Sequence, residues 1–255
     1  MTTTVSPISR QDEVSDQLSL LQVVGLHLAP GILITLAYSA AGLLFAQWGL
    51  PQPLALLATM LFVALPLEFG YLLYQGWKLN GRLSLEGVIR FREPISRRLL
   101  ATLGLGLLVW AAVASTLMAP VDESVRRSLF AWWPAVLDPS NFVRQMDLYS
   151  PSALWAVALG SLVLNVIIPT VEELYFRGYL LPRMDRWGWL APLSSLLLFS
   201  LYHFWLPWQN PSRLVALLPA IVVVYRCRSV KLSILVHVAL NSLGSLALLA
   251  MVIGR

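Results

Sequence analysis

Charge is scarce in this chain. Only 12% of its 255 residues are Asp, Glu, Lys or Arg, against roughly 25% in an ordinary soluble domain. A chain so poor in charge cannot clothe a globule of this size in solvated side chains, which excludes a soluble fold. Cysteine is scarcer still: Cys227 stands alone, so no disulfide can close within the chain, and the compartment stays open on that count. Internal repeats and low-complexity linkers are missing too, so the chain reads as one domain. No short apolar leader stands apart at the start, because residues 1–20 are polar and the first apolar run already has the length of a span.

Hydrophobic residues make up 58% of the chain, and its mean hydropathy is +0.72. Apolar stretches near the roughly 20 residues that a bilayer core demands recur at 22–47, 53–77, 99–119, 152–171, 190–206, 213–226 and 232–253. The expected fold class is therefore all-α: a multi-pass transmembrane helical bundle of seven spans, or eight if the 120–150 connection holds a further short helix. Residues 1–20 would be a polar tail and 21–255 a single membrane domain. Pro30, Pro66, Pro169 and Pro219 fall within or beside spans. Proline removes a backbone donor and bends a helix, so bent helices around an internal polar cavity are expected.

The net charge of +5 invites a nucleic-acid reading, but the basic residues lie between spans, which is the positive-inside pattern instead. With the N-terminus inside, 13 of the 18 Lys and Arg residues fall on the inner side, leaving Arg126, Arg127, Arg144, Arg213 and Arg255 outside. This predicts a cytoplasmic N-terminus, in the inner membrane if the cell is prokaryotic, with lipid and not nucleic acid as partner. Residues 78–98 read as a basic connector resting on anionic headgroups, and Trp132 and Trp133 as interfacial anchors.

Acids are the informative minority. From residue 148 onward there are three, Glu172, Glu173 and Asp185, and two of the three histidines, His203 and His237, lie in the same half. Ionisable groups within spans mark function by default. Adjacent glutamates on a helix point about 100° apart, so Glu172 and Glu173 cannot share a proton as a dyad. Glu173 stands four residues before Arg177, the favourable order for an ion pair. That leaves Glu172 alone on its own face, and a desolvated, unpaired carboxylate suits a general base. Phe199 and His203 share one face at the same spacing, as do His237 and Asn241; an imidazole and a carboxamide together suit an oxyanion. Glu68 and His27, the other ionisable residues in spans, read as structural.

The ordered set Glu-Glu-x-x-x-Arg, Phe-x-x-x-His and His-x-x-x-Asn, with "FRGYL" after the paired glutamates, resembles the CPBP family of intramembrane glutamic endopeptidases, which includes CAAX-processing prenyl proteases and bacteriocin-associated proteins. The likeness covers about residues 152–245. It implies a protease with no cofactor, whose cavity opens toward the cytoplasm and lipid and whose substrate is a membrane-associated, perhaps-prenylated class of peptide or protein. It further implies that Glu172 with His203 activates water, His237 and Asn241 hold the oxyanion, and Glu173 and Arg177 support them. Other proteolytic chemistries lack their residues: His203 is followed by Phe204 and Trp205, not by the zinc pattern His-Glu-x-x-His, and Ser161 lacks a nucleophile's setting. Each aspartate reads as lying in a tail or loop. Three alternatives stay open: zinc held by Glu172, His203 and His237, a proton or ion relay, and a non-catalytic scaffold or immunity protein.

Overall fold

A computed structural model describes residues 16–255; residues 1–15 of the polar tail, Arg10 among them, lie outside the described residues. Seven helices follow one another: α1 (Leu20–Gln47), α2 (Gln52–Asn80), α3 (Arg97–Leu129), α4 (Pro151–Trp187), α5 (Leu190–Tyr202), α6 (Asn210–Cys227) and α7 (Val230–Ile253). Local chemistry sets several ends. Ser19 accepts from the Gln22 amide while the Gln22 side chain returns to the Ser19 amide, a reciprocal cap. Ser96 and Ser150 cap α3 and α4 in the same way on one side. Gly81, at φ +67°, ends α2 in the left-handed conformation that glycine adopts without strain.

Helices occupy all seven apolar stretches. Five of them (α1, α2, α3, α4 and α7) are long and apolar enough to cross a membrane by length and composition; α5 has only 13 residues. The 120–150 connection holds no eighth span. Instead α3 runs through Pro120 to Leu129, and three 3-10 turns, Ala135–Leu137, Pro139–Asn141 and Val143–Leu148, complete the crossing to α4. Asp122 consequently rides on a helix, contrary to the expectation that every aspartate lies in a tail or loop.

The larger correction concerns α4. A span ending near 171 with a loop at 177–186 was expected; the helix instead continues from Glu173 through a π segment, Leu174–Leu180, and a 3-10 segment, Leu181–Trp187. Polar residues there do not end the helix because their partners lie inside the protein. Arg177 and Arg183 are 3% and 4% exposed, paired with Glu173 and Asp16, so neither belongs in a count of loop charges. Glu172 thus sits mid-helix, and α5, running back, brings His203 to the same level.

Each end of the bundle is tied separately. At one end, Asp16 bridges Arg90 and Arg183 at 2.7 and 2.9 Å, Arg228 meets Asp185 at 2.9 Å, and the Val230 amide donates to the Phe91 carbonyl. Residues 16–18 are therefore docked, with Leu18 buried. At the other end, the Tyr38 hydroxyl donates to the Leu137 carbonyl at 2.9 Å, Trp133 stacks edge-on against Trp208, and Arg255 pairs with Asp147. The main packing pairs are α4 with α7 and α3 with α6.

Gly31 of α1 lies against the end of α5, where an added Cβ would stand 2.1 Å from the Tyr202 carbonyl oxygen. Gly31→Ala should therefore push apart the two helices and lower stability by about 1–3 kcal/mol. Gly25→Ala, with nothing within 4 Å of the new methyl, should be neutral or slightly stabilising. Thermal unfolding of both variants in the same detergent checks the contrast.

Candidate active site

The two glutamates at the centre of α4 face different neighbours. Glu173 points to α7, where one oxygen lies 2.8 Å from His237 Nδ1 and the other accepts from the Ser233 hydroxyl. Arg177 Nε stands 3.3 Å from that second oxygen, and the guanidinium lies over the Phe199 ring at 3.9 Å. A carboxylate that is 3% exposed thus has three donors, the satisfaction that burial of a charge requires. The arrangement also fixes His237. With Nδ1–H given to Glu173, Nε2 is the nitrogen left to face the site, as with second-sphere carboxylates that orient imidazoles.

Glu172 faces the other way. Its nearest polar neighbours are His237 Nε2 at 3.8 Å and the Tyr202 hydroxyl at 3.4 Å. Tyr202 has one proton, and its 2.6 Å contact with Glu68 shows where that proton goes. Glu172 is left without a short hydrogen bond among the described residues, although it is only 4% exposed. Sequence reasoning took Glu68 as structural and did not single out Tyr202. Their link crosses 134 positions, and no local spacing could have revealed it. His27, the remaining buried histidine, bonds its own helix through Nδ1 to the Val23 carbonyl.

His203 comes just after α5, at φ −79° and ψ 53°. Its Nδ1 lies 2.8 Å from the Phe199 carbonyl, and the rings of Phe199, Tyr202 and Trp205 surround it at 4.9 Å each. Asn241 follows His237 by one turn of α7. Asn165, missed in the sequence, braces that turn by donating to Ser245 Oγ at 2.6 Å.

Glu172, His203, His237 and Asn241 line one cavity of about 340 Å³, whose other walls include Leu56, Met60, Ile168, Phe199, Trp205 and Leu217. Glu173 and Arg177 do not line it; with Ser233 they border a gap of about 20 Å³ behind His237. The six residues singled out by spacing therefore converge, four facing the space and two backing it. Among the described residues, no group of three or more His, Cys, Asp or Glu side chains is placed to hold a metal ion.

The cavity occupies one half of the bundle. Its α4 residues, Leu164 to Glu172, precede the midpoint of that helix, and it extends to Gln209 and Arg213 beyond the end of α5. It lies toward the end closed by Tyr38, Trp133 and Asp147. The opposite end carries Lys78, Arg82, Arg90, Arg92, Arg97, Arg98, Arg183, Arg186, Arg226, Arg228 and Lys231, eleven basic residues against five at the cavity end. A cytoplasmic N-terminus and a cytoplasmic cavity, both expected from the sequence, are thus incompatible, because α1 begins at the arginine-rich end.

A family profile described as type II CAAX prenyl endopeptidase, Rce1-like, matches residues 153–243, from the start of α4 into α7, the segment that holds all six residues. No curated protein matches the chain at a significant level, and no solved structure does.

Arg177→Met should leave Glu173 buried with a missing counter-charge and cost about 3–5 kcal/mol. Arg228→Met, at a partner pair whose side chains are 47% and 34% exposed, should cost less than about 1 kcal/mol. Denaturation midpoints of the two variants in mixed micelles provide the comparison.

Proposed function

We infer that this membrane protein, in which residues 153–243 carry a CAAX-type protease domain of the CPBP family, is an intramembrane endopeptidase that hydrolyses a peptide bond through glutamate-activated water. The observation that carries this reading is the division of the two glutamates: Glu172 lines the cavity without a strong donor, while Glu173 is spent on His237, Ser233 and Arg177.

In this reading Glu172, aided by His203, takes a proton from water as the oxygen attacks the scissile carbonyl, and returns that proton to the leaving amine. His237 and Asn241 donate to the oxygen that becomes negative. A His237 that donates from Nε2 while Nδ1–H stays on Glu173 is an imidazolium. Glu173 is its counter-charge, so the second glutamate acts on the oxyanion partner more directly than on Glu172. No step calls for a metal or cofactor.

The positive-inside rule applied to the eleven-to-five distribution supports a cytoplasmic N-terminus, which puts the cavity in the outer half of the bilayer. The substrate is then a membrane-anchored chain presented from the outside, and a prenylated tail made in the cytoplasm would meet the wrong face.

Glu172→Gln should abolish cleavage of quenched peptides by purified protein while leaving the melting temperature within a few degrees of wild type, and a strong chelator should leave wild-type cleavage unchanged. Cleavage retained by the variant would remove Glu172 from the chemistry, and loss with chelator would call for a metal.

Orientation is checked with a membrane-impermeant maleimide on intact cells. Cysteine placed at Leu148, which is 75% exposed, should label from outside in a Cys227→Ser background. The native Cys227 at the arginine-rich end should label only after permeabilisation. The reverse pattern would put the cavity on the cytoplasmic side.

A further inference from the structure

Three arginines lie inside the bundle, and two have a carboxylate: Arg177 has Glu173 and Arg183 has Asp16. The third, Arg213 of α6, has no carboxylate within 4 Å among the described residues. It is also the one Lys or Arg side chain lining the 340 Å³ cavity. Its acceptors are neutral: Nη1 donates to the Ser200 carbonyl at 3.3 Å and to Asn210 Oδ1 at 2.9 Å, and Nη2 reaches Gln209 Oε1 at a long 3.4 Å. Both Nη1 hydrogens are therefore engaged. Nε–H has no acceptor among the described residues, and Nη2 has only the long contact. These two donors are parallel and form the side-on fork that fits a carboxylate in a bidentate way.

The negative charges that act on Arg213 are those of Asp122 and Glu172. Asp122 spends an oxygen on the Ser212 amide, and Glu172 belongs to the reacting centre. An arginine out of bulk water with only neutral partners is costly, and helix capping does not require that the charge face a cavity. Capping is nonetheless its other role, since Ser200 lies in the last turn of α5.

We propose that Arg213 is a carboxylate-binding subsite: it holds a carboxylate of the substrate at the far wall of the cavity while a neutral peptide bond lies beside Glu172. Between them Met60, Ile168, Leu206, Ala216 and Leu217 accept apolar side chains, so the substrate class is an apolar peptide that carries a carboxylate beyond the cleaved bond. The proposal rests on the protease reading for the position of the scissile bond. A chain terminus or an acidic side chain could supply this group.

The test is made on binding, so that it does not depend on turnover. N-terminally labelled heptapeptides rich in Ala, Leu and Phe are titrated into detergent-purified Glu172→Gln protein by fluorescence anisotropy. One series has a free C-terminal acid, a second a C-terminal amide, and a third an amide with one internal glutamate. The acid, the internal glutamate or both should bind about tenfold to a hundredfold more tightly than the plain amide, and which of them does so identifies the source. Adding Arg213→Gln should reduce carboxylate binding to the level of the amide and leave amide binding and melting temperature unchanged, with Arg213→Lys intermediate. Equal binding of all three series would overturn the proposal. So would an Arg213→Gln loss that falls equally on acid and amide with a lowered melting temperature, the signature of a cap. Cleavage by the Glu172→Gln protein during the titration would count against the protease assignment of Glu172 and leave the carboxylate preference readable.

Discussion

The organising constraint is one buried carboxylate that has to stay charged. Glu173 has no route to water, so it must gather donors from the protein, and the helices around it are arranged to supply them. Arg177 comes from the next turn of its own helix, and Ser233 and His237 come from α7. Phe199 of α5 closes the other side of the guanidinium through its ring. A single charge therefore draws three helices together and presets the imidazole facing the cavity. An apolar substitute would pack as well, but it would leave His237 free to rotate. Electrostatics here sets geometry more than it adds stability.

Glu68, Tyr202 and Glu172 solve the opposite problem. Two carboxylates flank one hydroxyl, and the hydroxyl gives its proton at short range to the remote carboxylate. The carboxylate at the cavity is left under-satisfied. In a low-dielectric setting that is costly, and such costs persist at places where the group has work to do. Adjacent residues on one helix thus receive contrasting environments because a helix turns about 100° per residue.

Much of this was legible from spacing alone. The apolar runs at 22–47 and 232–253 became helices at Leu20–Gln47 and Val230–Ile253, since length and hydropathy leave little choice in a bilayer. The i, i+4 pairing of Glu173 with Arg177 was legible because both partners lie on one helix. What failed were inferences that polarity ends a span. Arg177 and Arg183 looked like loop residues, yet their partners lie across the fold, at Glu173 and Asp16. Pro120 looked like a stop, yet α3 continues past it. Tyr202 and Arg213 were invisible for the same reason as Glu68: their meaning depends on which helices are neighbours, and hydropathy does not encode that. The face on which the cavity lies came from combining a charge count with the depth of Glu172, and depth required the true length of α4.

The shortness of α5 has a consequence for solvent. Thirteen residues rise only about 20 Å, some 10 Å less than the hydrocarbon thickness of a typical bilayer. The chain therefore turns at His203 while still within the depth of the membrane, and Gln209 and Arg213 follow immediately. A polar turn at that depth thins the bilayer locally or draws water inward. Hydrolysis in hydrocarbon needs its second reactant delivered, and this fold supplies it by hydrophobic mismatch. Bilayer thickness then becomes a control on hydration: thicker membranes bury the turn more deeply, and thinner ones bring it to the aqueous boundary.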